Sequence, residues 1–293
     1  MRASVYAKTI GLIYIVVVLF GIAGAIPVYR LFHVNPFILA LIVLVSAIPV
    51  AFIVFKIMMN REKKDPYGKL HAEMMRELFK NGYTDSFFEM CGKALEAHKN
   101  GEKINAVYLK DFILYPADYY NIIRQYDKAL PYFGYLNEND FTGRSDIFID
   151  QGMSALMYYG TLMETLRGLN DKAGATALID RAKPVLDKDF KNDVLAMASL
   201  NIYYNYYMLM GSYDRAGELV KQITSYESAP SKRYYSRYYI EAEYDLHLGK
   251  QQEAVEALKK MEPVIKGEGE TLLRFVYRKM HENLFGRAWS DQS

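Results

Sequence analysis

The sequence predicts an all-α protein in two parts: an N-terminal transmembrane helical hairpin followed by an α-solenoid of helix-turn-helix repeats. Three observations predict it. Two long runs near the N-terminus carry no charged side chain. Beyond Asp65-Pro66, apolar residues recur at helical spacing, with no strand-like alternation of any length. A six-residue phrase also returns at near-regular intervals through this second part.

From Thr9 to Tyr29, and again from Val34 to Phe55, no residue is charged; Lys8, Arg30 and Lys56 bound the runs. Each is long enough for a helix to cross the ~30 Å of hydrocarbon in a bilayer. A chain in lipid must satisfy its own backbone hydrogen bonds, which selects helix. The spans are placed at residues 9–29 and 36–57, within an anchor of residues 1–60. Pro27 and Pro36 fall near the connecting loop, and Pro49 is expected to kink the second span. A cleaved signal peptide is the competing reading, with Ala23-Gly24-Ala25 as the cleavage site. Against it, the apolar run continues past that site and a second run follows at once.

Basic residues set the expected direction. Arg2 and Lys8 precede the first span, and Lys56, Arg61, Lys63 and Lys64 follow the second. The connector holds only Arg30 and His33. Both termini are therefore expected in the cytoplasm, at the cell membrane, with residues 61–65 as a basic juxtamembrane linker. Neither span carries an interior charge, so the hairpin reads as an anchor in the lipid bilayer and not as an ion path. Gly21 and Ala25 have a small-xxx-small spacing that would suit a homo-oligomer through the hairpin.

Composition narrows the function. A net charge of +2 over 293 residues excludes bulk nucleic-acid binding. The single cysteine, Cys91, forbids an internal disulfide and is expected to be a buried packing thiol. The 26 Tyr and 14 Met suit the gaps between packed helices. The five histidines show no metal-ligand spacing, no Gly-rich phosphate loop opens a helix, and no nucleophile elbow occurs. No catalytic residue, cofactor or metal site is therefore predicted; an enzyme would need groups distant in sequence to converge.

The recurring phrase is clearest at Gly211-Ser212-Tyr213-Asp214-Arg215-Ala216. Its counterparts begin at Asn81, Arg124, Gly168 and Gly249, and close on Ser86, Ala129, Ala173 and Ala254. The closing residues stand 43, 44, 43 and 38 apart. The phrase reads as a turn between two helices: a turn-tolerant residue ends the first, Asp or Asn caps the second, and a small residue lets the two approach. The preceding helix is typified by Val194 to Met210, and the following one by Arg215 to Thr224 or Gln252 to Ile265. Such pairs cannot bury their apolar faces alone, so they stack. Glu270 to Phe285 reads as a terminal capping helix within residues 267–293.

Over residues 66–266 this pattern resembles the tetratricopeptide repeat (TPR) family. The phrase at Gly211 looks like that family's Gly-Asp-Tyr-Asp-Glu-Ala turn. Ala117 and Ala242 match the small residue twelve positions before the anchoring Ala, and Tyr120 and Tyr207 match the large aromatic nine before it. Tyr204, Glu164 and Asp245 depart from the pattern, the usual Trp is missing, and the repeat is longer than 34 residues. The resemblance implies a concave groove, lined by first helices, that accepts a peptide or partner helix. Its groove-facing positions carry over to Asp118 and Asn121, Tyr158 and Leu162, Asn201 and Asn205, and Tyr239 and Glu243. Asn201 and Asn205 share one helix face, where their amides would bond a peptide backbone.

Together these readings predict a membrane-anchored cytoplasmic scaffold that engages a protein or peptide partner by protein-protein interaction. The alternative is a structural subunit of a secretion or envelope-assembly complex, in which the hairpin is the interaction surface.

Overall fold

A computed structural model describes residues 65–136, 152–232, 234–265 and 270–286, with isolated helical positions at Tyr14, Ile15, Val18, Val45, 47–49 and Ile53. The chain forms two compact units, Met1–Lys69 and Leu70–Ser293. Apart from those isolated positions, the predicted spans lie outside the described residues. Among the described residues no helix is long and apolar enough to cross a membrane.

The described residues are all-α. In order they form α1 (Pro66–Asn81), α2 (Asp85–Lys99), α3 (Ala106–Ile122) and α4 (Tyr126–Ala129), then a 3-10 turn at Leu130–Tyr135. There follow α5 (Met153–Gly168), α6 (Lys172–Leu186), α7 (Asp193–Met210), α8 (Tyr213–Ser225) and α9 (Ala229–Lys232). The chain continues with α10 (Ser236–His247), α11 (Gln251–Lys259), a 3-10 turn at Glu262–Val264, and α12 (Glu270–Phe285). The helix expected over Gln252–Ile265 stops early because Pro263 cannot donate to Lys259 and clashes with its carbonyl. Pro131 does the same to the helix that starts at Tyr126.

Five turns between paired helices share a backbone. Gly82, Arg124, Asn170, Gly211 and Gly249 stand in the left-handed region, with φ from 56° to 80°. In four of them the next residue donates its N–H to the carbonyl five positions back. These bonds run Gln125 to Tyr120, Asp171 to Leu166, Ser212 to Tyr207, and Lys250 to Asp245, at 2.8–2.9 Å. Each closes the end of the first helix and consumes a carbonyl that helix would leave unpaired. Five residues after each left-handed position comes a side chain with 0% exposure: Phe87, Ala129, Ala175, Ala216 and Ala254.

This register corrects the sequence reading in two copies. Ser86 and Ala173, expected to close the phrase in the interface, are exposed. Phe87 and Ala175 hold the buried place. In the third copy α5 runs through Gly168, and the left-handed residue is Asn170. Gly168 serves a close approach instead of the turn: a Cβ there would fall 2.3 Å from the Tyr126 ring. Asp171 then caps α6 by accepting from the Gly174 N–H at 2.8 Å.

The first helices of the pairs pack in sequence, α3 on α5, α5 on α7 and α7 on α10, and α12 touches both α10 and α3. The apolar core lies between these helices and their outer partners, with Tyr159, Met163, Leu178 and Tyr204 almost wholly buried. Helix α12, expected as a cap, joins the last pair to the first. Its Phe275 packs against the rings of Tyr83 and Tyr119, with centroids 5.6 and 5.8 Å apart. Asn283 Nδ2 donates to the Ile122 carbonyl at 2.8 Å, and Arg124 Nη2 donates to the Asn283 carbonyl at 2.7 Å. Cys91 is buried, and burial pushes its thiol pKa up, as suits a packing residue.

Gly168→Ala should therefore destabilise the full-length protein by about 1–3 kcal/mol, because a methyl would be forced into the Tyr126 ring. Thermal unfolding followed by far-UV circular dichroism checks it. An unchanged midpoint would remove that contact as a packing constraint.

Candidate functional site

Eleven residues before each of the last four buried anchors stand Asp118, Glu164, Asn205 and Glu243, on α3, α5, α7 and α10. A turn of constant geometry fixes the phase of the helix before it, so residues at one offset meet on one face. These four do meet. The Glu164 carboxylate interacts electrostatically with both Asp118 and Glu243. Arg167, one turn on from Glu164, donates Nη1 and Nη2 to the two Glu243 oxygens, each at 2.9 Å. The same Nη1 donates to Asn205 Oδ1 at 2.8 Å, and the Tyr204 hydroxyl donates to Glu243 at 2.8 Å. The Arg167 guanidinium also lies 5.8 Å from the Tyr204 ring centroid. Burial disfavours the Arg167 cation, but the Glu243 carboxylate outweighs it and the pKa moves up.

The other two carboxylates have no such partner. Burial pushes Asp118 up to about 6, opposed by the Tyr83 hydroxyl, which donates to it at 3.3 Å. Burial pushes Glu164 up to about 8; Asp118 adds to the shift, Arg167 opposes it and Glu243 adds. Glu164 accepts no hydrogen bond and forms no ion pair with any described residue. Both side chains nevertheless keep some surface open to solvent. Tyr115 and Tyr235 interact electrostatically with Asp118, and Tyr234 and Tyr235 with Glu164, while the Tyr234 hydroxyl is hydrogen-bonded to Asn201 and Ser236. Burial pushes Tyr234 up to about 12 and Tyr235 well above its ordinary value.

Of the residues predicted for the groove, Asp118, Asn205 and Glu243 are on this face, with Tyr239 beside Glu243 and Arg167. Asn201 is buried with Asn205, whose Nδ2 donates to the Asn201 Oδ1 and carbonyl at 2.9 and 3.0 Å. These amides are spent on each other, on Arg167 and on the Tyr234 hydroxyl. Asn121 is buried and clamps α3 to α5, donating to the Thr161 carbonyl and accepting from Thr165, both at 2.9 Å. Tyr158 and Leu162 belong to the hydrophobic core, not to the inner face.

Glu164 was missed for one reason. The third copy was read two residues early, which put Leu162 where Glu164 belongs. The signal was available in α6, where Ala175, Leu178, Ile179 and Ala182 mark the buried stripe and exclude Ala173. Comparison with known proteins finds no matching family model, no matching curated protein and no matching solved structure.

Two outcomes follow from the electrostatics. The folded Glu164 holds its proton well above the range of an unfolded glutamate, near 4.3. Its contribution to stability is therefore greatest below about pH 4 and declines as pH rises through about 8. Glu164→Gln should match the wild type near pH 4 and exceed it at pH 9, by roughly 1–3 kcal/mol once its residual solvent access is discounted. Calorimetry across pH reads the difference, and parallel curves would remove the assignment. Separately, Arg167→Met should cost about 3–5 kcal/mol because it strands the Glu243 carboxylate. Pairing it with Glu243→Gln should recover part of that loss in the same melts.

Proposed function

We propose that this chain is a membrane-anchored scaffold whose tetratricopeptide-like array gathers a protein or peptide partner on its inner face. The observation that carries the reading is the recurrent inner position itself. It brings Asp118 and Glu164 to a water-reachable face with polar capacity that internal contacts do not use. The five left-handed turns with buried anchors support the repeat reading, and the two uncharged runs support the anchor. The basic residues flanking those runs support a cytoplasmic array with both termini inside. An anchor of this kind raises the local concentration of whatever the array holds near other membrane proteins.

Affinity capture from detergent tests the inner face. The isosteric pair Asp118→Asn/Glu164→Gln should lower partner recovery about tenfold relative to wild type, the equivalent of one lost polar contact. Unchanged recovery removes the inner face from the proposal. Recovery lost only when both spans are replaced by an unrelated anchor assigns the interaction to the hairpin and favours the structural-subunit reading.

Topology is tested through an added thiol, because Cys91 is buried and its thiol is a poor nucleophile. Asp214, exposed in the first turn of α8, is a suitable site. Asp214→Cys should react with an impermeant maleimide only after the cytoplasmic side is opened. Labelling of intact cells would reverse the orientation.

A further inference from the structure

We propose that Asn100 is a modification site, where the chain deamidates without an enzyme and acquires an isoaspartate or aspartate linkage. The proposal is independent of what the inner face binds.

The sequence holds Asn-Gly twice, at Asn81-Gly82 and Asn100-Gly101. In this dipeptide the glycine backbone nitrogen can attack the asparagine side-chain amide carbon, because no Cβ on the second residue obstructs the approach. The new C–N bond closes a five-membered succinimide, and the side-chain nitrogen leaves as ammonia. Water then adds to one of the two imide carbonyls and opens the ring. One opening yields aspartate. The other carries the main chain through the side-chain methylene, as isoaspartate. Water is the only co-reactant.

The fold separates the two copies. Asn81 ends α1, and its Nδ2 donates to Glu77 Oε2 at 2.7 Å. Gly82 is buried in the turn that follows. Its N–H donates to the Leu78 carbonyl at 2.9 Å, and its own carbonyl accepts from the Thr84 N–H at 3.1 Å. Helix α12 stands against it as well: a Cβ at Gly82 would lie 3.9 Å from Thr271 Cγ2. Rotating Asn81 into attack would undo this turn. Asn100 is the C-cap of α2, with φ −79° and ψ 6°. Asn100 and Gly101 are both exposed, and a Cβ at Gly101 would meet nothing within 4 Å. The Asn100 side chain makes no hydrogen bond among the described residues. Two bonds hold this end, from the Gly101 N–H to the His98 carbonyl and from the Glu102 N–H to the Ala97 carbonyl, each at 3.0 Å. Exposed bonds at a helix end open at little cost, so the attacking geometry is reached by local fraying.

The product alters the same end of α2. Isoaspartate adds a methylene to the main chain and carries the Gly101 and Glu102 N–H groups away from their acceptors. Either product also places a carboxylate at the negative end of the helix dipole. The last turn of α2 should therefore loosen as the protein ages.

Incubation of the full-length protein in nanodiscs, in mildly alkaline buffer, tests this. Mass spectrometry follows the peptides that carry each asparagine, and a protein-isoaspartate methyltransferase with a labelled methyl donor counts the isoaspartate. The Asn100 peptide should exchange its amide NH2 for OH about tenfold or more faster than the Asn81 peptide. In denaturant the two rates should converge, because the dipeptide is the same and the turn is gone. Asn100→Gln, a change at an exposed cap, should remove most of the methyl incorporation. Hydrogen exchange in the last turn of α2 should rise in aged wild type and not in the variant. Asn100 reacting no faster than Asn81 in the folded protein, a rate ratio that survives denaturant, or methyl incorporation indifferent to Asn100→Gln overturns the proposal.

Discussion

The rest of the structure depends on one small constraint, the left-handed residue that ends the first helix of each pair. It turns the chain back, and the bond from the following N–H to the carbonyl five residues earlier fixes how sharply. With the turn fixed, the residue five positions on must enter the interface, and each of those residues has no exposure. Glycine fills the position at three turns because it adopts positive φ without strain. Arg124 and Asn170 fill it at a cost of about 1 kcal/mol or more each. The chain carries that cost at turns where a side chain has another task. Arg124 reaches α12, and Asn170 leaves Gly168 free to lie under the Tyr126 ring.

The same constraint assembles the inner face. Because each turn fixes the phase of the helix before it, Asp118, Glu164, Asn205 and Glu243 arrive together although more than a hundred residues separate the first from the last. Their chemistry then divides. On one side, Arg167, Asn205, Tyr204 and Glu243 satisfy one another, and the pair is held in a bidentate geometry that resists substitution by lysine. On the other, Asp118 and Glu164 repel each other inside a desolvated site and move toward neutrality. The inner face is thus a network complete at one end and incomplete at the other.

Much of this was legible in the sequence. Helix class, the turn positions and the terminal helix followed from apolar period, glycine placement and the phrase around Gly211. The inner positions were legible wherever the phrase was in register, which is why Asp118, Asn205 and Glu243 emerged from a resemblance alone. They failed at the third copy because Gly168 looks like a turn glycine and is a packing glycine; the two uses leave the same letter in the sequence. They failed also at Asn121, Asn201 and Tyr158. An asparagine that clamps two helices and one that faces a ligand share a helix face until neighbouring helices are placed. Arg167 carried no local signal, since its partner Glu243 lies on a helix two pairs away.

The last helix joins the end of the array to its beginning. Here α12 spans the gap between α10 and α3. The contact is reciprocal at the backbone level. Asn283 supplies an N–H to a carbonyl at the end of α3, and Arg124 supplies one to a carbonyl at the end of α12. Each satisfies a group that its helix leaves unpaired, so each helix end is completed by the other. The left-handed backbone at Arg124 thus serves the closure, because it ends α3 where the Arg124 side chain can complete the end of α12.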